Sequence, residues 1–154
     1  MLFYDIISFA KHYNLRGNNM IAVICLDDKN GYLFNNRRQS QDRIIRAKLV
    51  EMASGTKLWM NAYTQRQFEN EMSLVISVDE EFAQKAGIGE YCFFENVSPA
   101  DYLDRAEEII VVKWNRVYPS DRKFDIKSTS YTMEDSEDIQ GSSHEKITIE
   151  RYRK

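Results

Sequence analysis

The chain has 154 residues, of which 43% are hydrophobic and 29% charged, and its formal net charge is −3. This length allows one well-buried core and is short for two ordinary domains, and the composition is that of a globular protein rather than a disordered or coiled-coil one. The slight acidic excess argues against a nucleic-acid-binding protein, which usually carries an excess of Lys and Arg.

The sequence also argues against a membrane or exported protein. No stretch approaches the roughly 20 consecutive apolar residues that a membrane span needs. Residues 1–19 lack the basic start and the long apolar centre of a signal peptide. Cys25 and Cys92 lie inside apolar runs, where buried, reduced thiols are expected. We therefore expect a cytoplasmic protein.

Residues 1–19 differ in character from the rest of the chain, with an apolar start and a polar end. Their apolar residues could form one face of a short amphipathic helix. Alternatively, Met20 is the true start of translation, because Arg16-Gly17 can be encoded by a ribosome-binding sequence at the usual distance upstream. Both interpretations treat 1–19 as an N-terminal extension and 20–154 as the folded domain.

The domain begins with a continuous apolar run over 20–26, which predicts a strand covered on both faces. Residues 27–31 predict a turn, and 34–39 show no periodicity and predict a loop. Ser40 offers an N-cap hydroxyl for an amphipathic helix over 40–53.

Further strands alternate with helices along the rest of the chain. Strands are predicted over 57–60, 73–77, 91–94 and 108–113, and helices over 64–69, over 78–86 and from Ser98 onward. This alternation implies βαβ units and a mostly parallel central sheet flanked by helices, an α/β fold. Two polar, alternating segments, 131–139 and 146–152, predict a C-terminal antiparallel hairpin at the sheet edge.

The order of these elements resembles the dihydrofolate reductase family over 20–154. The resemblance rests on the first strand, the turn with Asn30-Gly31, the capped helix, the strand that ends at Met60, and the closing hairpin. It implies a dihydrofolate reductase-like fold and, for an active member, NADPH as cofactor.

Most residues that serve catalysis and cofactor binding in that family have no counterpart here. Ile45 stands where the family has the acidic residue of the first helix, and it can neither accept a hydrogen bond nor stabilise a protonated ring. Thr64 matches a cofactor-binding threonine, but the arginine of the same motif is missing. Phe94-Glu95 replaces a Gly-Gly pair, which would place bulk and negative charge where a pyrophosphate binds. The interval from Thr64 to Tyr91 is short for the family, which suggests a trimmed adenosine site.

Two polar clusters would face each other at the mouth of the family's active site. The candidate binding residues are Arg37, Arg38, Gln39, Ser40, Asp42 and Arg43 in the first cluster, and Ser142, Ser143 and His144 in the second. Together they could form an anion or nucleotide site from guanidinium groups, a helix start and hydroxyls. Alternatively they are an exposed loop and an exposed turn joined by hydrogen bonds, with solvated pairs between Asp42 and Arg43.

Two functions from different classes remain open at this point. The first is a repurposed, non-catalytic domain that binds an anionic small molecule or a protein partner near Arg37, Arg38 and His144. The alternative is an NAD(P)H-dependent reductase with altered site residues, supported by Thr64. A third idea is a structural homodimer formed along a sheet edge or through the N-terminal extension. No metal is expected, because no other His or Cys lies at ligand spacing from His144.

Overall fold

The computed structural model of the chain describes residues 19–71 and 73–154. The predicted extension over 1–19 lies outside the described residues, except for Asn19. Within the described part, the strands are β1 (Met20–Leu26), β2 (Gly31–Phe34), β3 (Arg37–Arg38), β4 (Leu58–Met60), β5 (Ile76–Val78), β6 (Tyr91–Phe94), β7 (Ala106–Lys113), β8 (Arg122–Lys123), β9 (Thr132–Ile139) and β10 (Ile147–Arg153).

Seven of these strands form the central sheet, in the order β5-β4-β6-β1-β7-β10-β9. The first five pair in parallel, while β10 runs antiparallel to both β7 and β9. The prediction of a mostly parallel α/β sheet with a C-terminal antiparallel hairpin is therefore confirmed. The sequence predicted the bounds of β1 and β6 to the residue.

Three short strands form a second sheet, in the order β3-β2-β8. The prediction of a loop over 34–39 is wrong, because this segment closes the hairpin between β2 and β3. Asn35 and Asn36 have φ angles of +51° and +59°. Two successive positive φ angles give the two-residue hairpin turn that matches strand twist, and asparagine tolerates them.

The helices are short. They are α1 (Arg43–Met52), α2 (Ala62–Gln65) and α3 (Phe82–Lys85), with 3₁₀ turns at Arg66–Phe68, Pro99–Arg105 and Ile126–Ser128. The predicted helix over 40–53 is real but begins later, at Arg43. Its N-cap is Asp42, whose carboxylate accepts a hydrogen bond from the backbone N–H of Ile44. The N-cap prediction for Ser40 is therefore wrong, since a carboxylate two residues before Ile44 already caps the first turn.

Other boundaries also differ from the sequence predictions. The strand predicted over 73–77 corresponds to β5, which begins only at Ile76. The helix predicted over 78–86 is reduced to the four residues of α3. Ser98 caps its segment as predicted, but that segment is a 3₁₀ turn. Few apolar residues mark these short elements, so their ends are set by tertiary contacts.

The core has two layers, one on each face of the central sheet. Along β1, Met20, Ala22 and Ile24 pack into one layer, whereas Ile21 and Val23 pack into the other. This alternation explains why the strand is apolar throughout. The helix α1 covers the second layer with its buried residues Ile45 and Leu49.

Candidate functional site

The carboxyl ends of the parallel strands meet at one edge of the sheet. Asp27, Asn61, Glu95 and Trp114 directly follow β1, β4, β6 and β7, and all four are buried. In open α/β sheets, ligands bind outside the carboxyl ends of the strands. This edge of the sheet is therefore the candidate functional site.

An ion pair covers the end of β6. The guanidinium of Arg38 donates from Nε to Glu95 Oε2 at 3.0 Å and from Nη2 to Glu95 Oε1 at 3.0 Å. The Arg38 and Glu95 side chains are 20% and 6% exposed. Arg38 also lies over the ring of Tyr63, 4.4 Å from its centroid, and its backbone N–H donates to the Tyr63 hydroxyl. A two-point contact of this kind fixes both side chains.

The ion pair lies between a small cavity and an open groove. The cavity has a volume of about 10 Å³, which is space for one water molecule at most. It is lined by Cys25, Tyr32, Arg38, Gln39, Ser40, Phe94, Glu95 and Trp114. The groove has a volume of about 460 Å³ and is lined by Phe34, Asn35, Arg37, Arg38, Gln39, Tyr118 and Pro119. Arg38 and Gln39 line both spaces and form the wall between them.

The two polar clusters predicted from the sequence are in contact, and Asp42 of the first cluster binds the residues of the second. Its carboxylate accepts from the backbone N–H groups of Ser142 at 3.0 Å and Ser143 at 2.9 Å, and from both of their hydroxyls. The approach is so close that a Cβ on Gly141 would lie 2.5 Å from Asp42 Oδ2. Burial raises the pKa of the Asp42 carboxyl, but hydrogen bonds from Ser142, Ser143, His144 and Ile44 lower it well below its usual range. The carboxylate is therefore ionised at neutral pH.

His144 sits in the centre of the same cluster. Its Nδ1 lies 2.9 Å from Asp42 Oδ2, and the two side chains are 1% and 0% exposed. Its Nε2 lies 3.0 Å from Ser40 Oγ and 3.1 Å from the Tyr118 hydroxyl. The imidazole stacks on Trp114 with 4.5 Å between ring centroids. The prediction of solvated pairs between Asp42 and Arg43 is wrong, because the Asp42 carboxylate is buried on His144 and the two serines.

Gln39 links the second sheet to the end of β1. Its Nε2 donates to Asp27 Oδ2 at 3.1 Å and to the carbonyl of Pro119 at 3.3 Å. Asp27 also accepts from the backbone N–H groups of Tyr118, Gly31 and Lys29. Burial raises the pKa of Asp27, but these hydrogen bonds lower it below its usual value. Gln39 Oε1 is buried and has no partner among the described residues.

Two predicted arginines keep their side chains free. Arg37 and Arg43 are exposed, and neither guanidinium has a hydrogen bond or ion pair with any residue in the described part of the chain. Only Arg37 lines the groove. Of the three guanidinium groups in the first cluster, Arg37 is therefore the one both unpaired and placed beside a ligand-sized space.

The present arrangement does not fit the dinucleotide that the resemblance implies. Phe94 is fully buried and Glu95 is paired with Arg38, so side chains fill the end of β6. Thr64 Oγ1 lacks a partner among the described residues, but Thr64 is completely buried. Ile45 is buried in the second core layer and offers no polar atom to a ring. A cofactor phosphate could reach Thr64 only after rearrangement.

Sequence reasoning missed several residues of this site. Tyr63, Tyr118 and Asp27 were not singled out, and Glu95 was considered only as an obstruction, not as the partner of Arg38. These contacts join positions far apart, such as the 57 residues between Arg38 and Glu95. No local pattern marks such a pair.

Metal binding and membrane insertion find no support in the described residues. No three His, Cys, Asp or Glu side chains within 19–71 and 73–154 are grouped closely enough to hold a metal ion. No helix in the same ranges has both the length and the apolar character that a membrane span requires.

Comparison with known proteins supports the fold assignment. No model of a known protein family matches the sequence, and no curated protein matches it. The structure is similar to that of dihydrofolate reductase from Enterococcus faecalis complexed with NADP(H) and RAB-propyl. The TM-score is 0.61 and the identity is 8%, and the match covers 88% of this chain and 96% of that chain. The protein therefore has a dihydrofolate reductase-like fold, and this likeness shows the fold alone.

Proposed function

We propose that this protein is a divergent, cytoplasmic dihydrofolate reductase-like domain that does not reduce folate and instead binds an anionic small molecule in the outer groove. The observation that carries the proposal is the contrast between the two spaces. The inner cavity has about 10 Å³ and the groove about 460 Å³. Ligand sites usually have volumes of roughly 300–1,000 Å³.

The lining of the groove determines the class of ligand. The Arg37 guanidinium has no partner within the described residues, and a guanidinium can bind carboxylate or phosphate through two parallel hydrogen bonds. Phe34, partly exposed, and Tyr118 provide aromatic rings at the same groove. Rings of this kind stack against planar groups. A planar molecule with a phosphate or carboxylate, such as a nucleotide, matches both features.

The second polar cluster has a different role in this proposal. Ser142, Ser143 and His144 already bind Asp42, and Arg38 already binds Glu95. Their polar atoms would have to give up buried partners before contacting a ligand, which costs about 1–3 kcal/mol for each orphaned group. We therefore place the ligand on Arg37 rather than on His144.

Replacement of Arg37 by alanine tests the groove directly. Calorimetric titration with AMP, ATP, inorganic phosphate and folate identifies the tightest of these probes. Because a hydrogen bond to a charged group contributes roughly 1.5–3 kcal/mol, we expect Arg37→Ala to weaken that binding by about 10- to 100-fold.

Arg43→Ala is the matched control, because Arg43 is also exposed and has no partner within the described residues, but it does not line the groove. We expect this variant to bind like the wild-type protein. Equal loss in both variants, or binding by none of the four probes, would contradict the assignment. Stabilisation by a protein partner alone would also contradict it.

A further inference from the structure

A hydroxyl, an imidazole and a carboxylate form one continuous hydrogen-bonded chain beside the small cavity. Ser40 Oγ lies 3.0 Å from His144 Nε2, and His144 Nδ1 lies 2.9 Å from Asp42 Oδ2. Asp42 and His144 are buried, whereas Ser40 is only partly buried and lines the cavity. A nucleophile within reach of a base that is itself oriented by a third group is the diagnostic arrangement of an activated hydroxyl.

The hydrogen bonds to Asp42 fix the tautomer of the neutral imidazole. The ionised carboxylate of Asp42 can only accept, so His144 must donate from Nδ1. Nε2 then carries the free lone pair and accepts from a hydroxyl. This is the orientation that a base needs in order to take a proton from Ser40.

Tyr118 shares that lone pair with Ser40. The Tyr118 hydroxyl lies 3.1 Å from His144 Nε2, close to the Ser40 distance of 3.0 Å. Only one of the two hydroxyls can donate to Nε2 at a time. The tyrosine therefore competes with Ser40 for the base.

Hydrogen-bond donors remain available next to Ser40. The backbone N–H groups of Ser40 and Gln41 have no hydrogen-bond acceptor among the described residues. Backbone N–H groups beside a nucleophile are the usual donors to the oxyanion that forms during acyl transfer.

We propose that Ser40 is a nucleophile toward activated esters, with His144 as its base and Asp42 as the residue that positions His144. Ser40 Oγ would form a bond to the ester carbonyl carbon while His144 Nε2 takes the hydroxyl proton. The carbon–oxygen bond to the leaving alcohol then breaks, and His144 returns the proton to that alcohol. Water releases the acid from the acyl-serine by the same route. This inference does not depend on the anionic ligand proposed for the groove.

Covalent labelling with diisopropyl fluorophosphate tests the inference on the full-length protein. The serine oxygen forms a bond to phosphorus, the phosphorus–fluorine bond breaks, fluoride leaves, and His144 takes the proton. Peptide mass spectrometry is expected to locate one adduct, on Ser40, and Ser40→Ala is expected to abolish it while circular dichroism shows an unchanged fold. Ser54→Ala, at an exposed serine, is expected to be labelled at the wild-type rate.

A second variant separates nucleophile activation from simple exposure. Tyr118→Phe removes the competing hydroxyl, so labelling of Ser40 is expected to become several-fold faster. An adduct only on other residues, no adduct in the folded protein, or a labelling rate that Tyr118→Phe lowers would overturn the proposal. Because Ser40 does not line the groove, loss of nucleotide binding in Arg37→Ala leaves this result unchanged.

Discussion

Replacement of Asp42 by asparagine is expected to lower the free energy of unfolding by about 3–5 kcal/mol, because it removes a buried charge from a hydrogen-bonded pair. The carboxylate caps α1 through Ile44 and accepts from Ser142, Ser143 and His144. The amide group of an asparagine would place its own two N–H donors against the donors of Ile44, Ser142, Ser143 and His144. Loss of these hydrogen bonds should loosen both the turn between β9 and β10 and the first turn of α1.

Urea unfolding at neutral pH measures this effect. Asp28→Asn is the control, because Asp28 is exposed and surface substitutions usually change stability by less than about 0.5 kcal/mol. Equal stability of the Asp42 and Asp28 variants would contradict a central role for Asp42.

The Asp42 variant should also differ from the wild-type protein in its pH dependence. The folded protein lowers the pKa of Asp42, so its stabilisation is complete above the unfolded pKa of about 3.9 and is lost as the pH falls toward the folded pKa. The difference in unfolding free energy between wild type and Asp42→Asn should therefore shrink below about pH 4.

The ion pair between Arg38 and Glu95 is expected to show strong energetic coupling. Arg38→Ala leaves Glu95 almost fully buried without its counter-ion, and we expect it to cost about 3–5 kcal/mol, as with other broken buried pairs. The double variant should cost less than the sum of the two single variants by about 1–3 kcal/mol. Urea unfolding of the two single variants and the double variant measures this coupling.

The exposed pair of Lys85 and Asp79 provides the matched control. The side chains are 51% and 28% exposed, and exposed pairs contribute little because water and salt screen them. A coupling for Arg38 and Glu95 no larger than that of this control would contradict a strong interaction between the two buried side chains.

Long apolar or alternating segments could be predicted well from the sequence. The strands β1 and β6 are continuous apolar runs because both of their faces are covered, whereas β10 alternates in burial over its first residues and the edge strand β9 is exposed along most of its length. The order of these elements was enough to indicate the fold.

The two-residue strand β3 and the N-cap of α1 could not be predicted in the same way. A strand of two residues shows no period, and both Ser40 and Asp42 are good capping residues. Asp42 is the N-cap because the distant residues Ser142 and Ser143 hold its carboxylate in place.

The candidate site was predicted only in outline. The meeting of the two clusters followed from the family topology, but the partners of each side chain depend on contacts across the sheet. Asp42 and His144 are 102 positions apart, and Arg38 and Glu95 are 57 apart. Whether an arginine binds a ligand or a neighbouring carboxylate depends on such contacts, and no local pattern encodes them.

Fluorescence titration with NADPH tests the central claim most directly, with a known dihydrofolate reductase as the positive control. Arg38, Glu95 and Phe94 fill the end of β6, so we expect no NADPH-dependent reduction of dihydrofolate, and any NADPH bound through the groove should be lost in Arg37→Ala. Saturable binding accompanied by hydride transfer would contradict the account, because the wall between the groove and the cavity would then open for the cofactor.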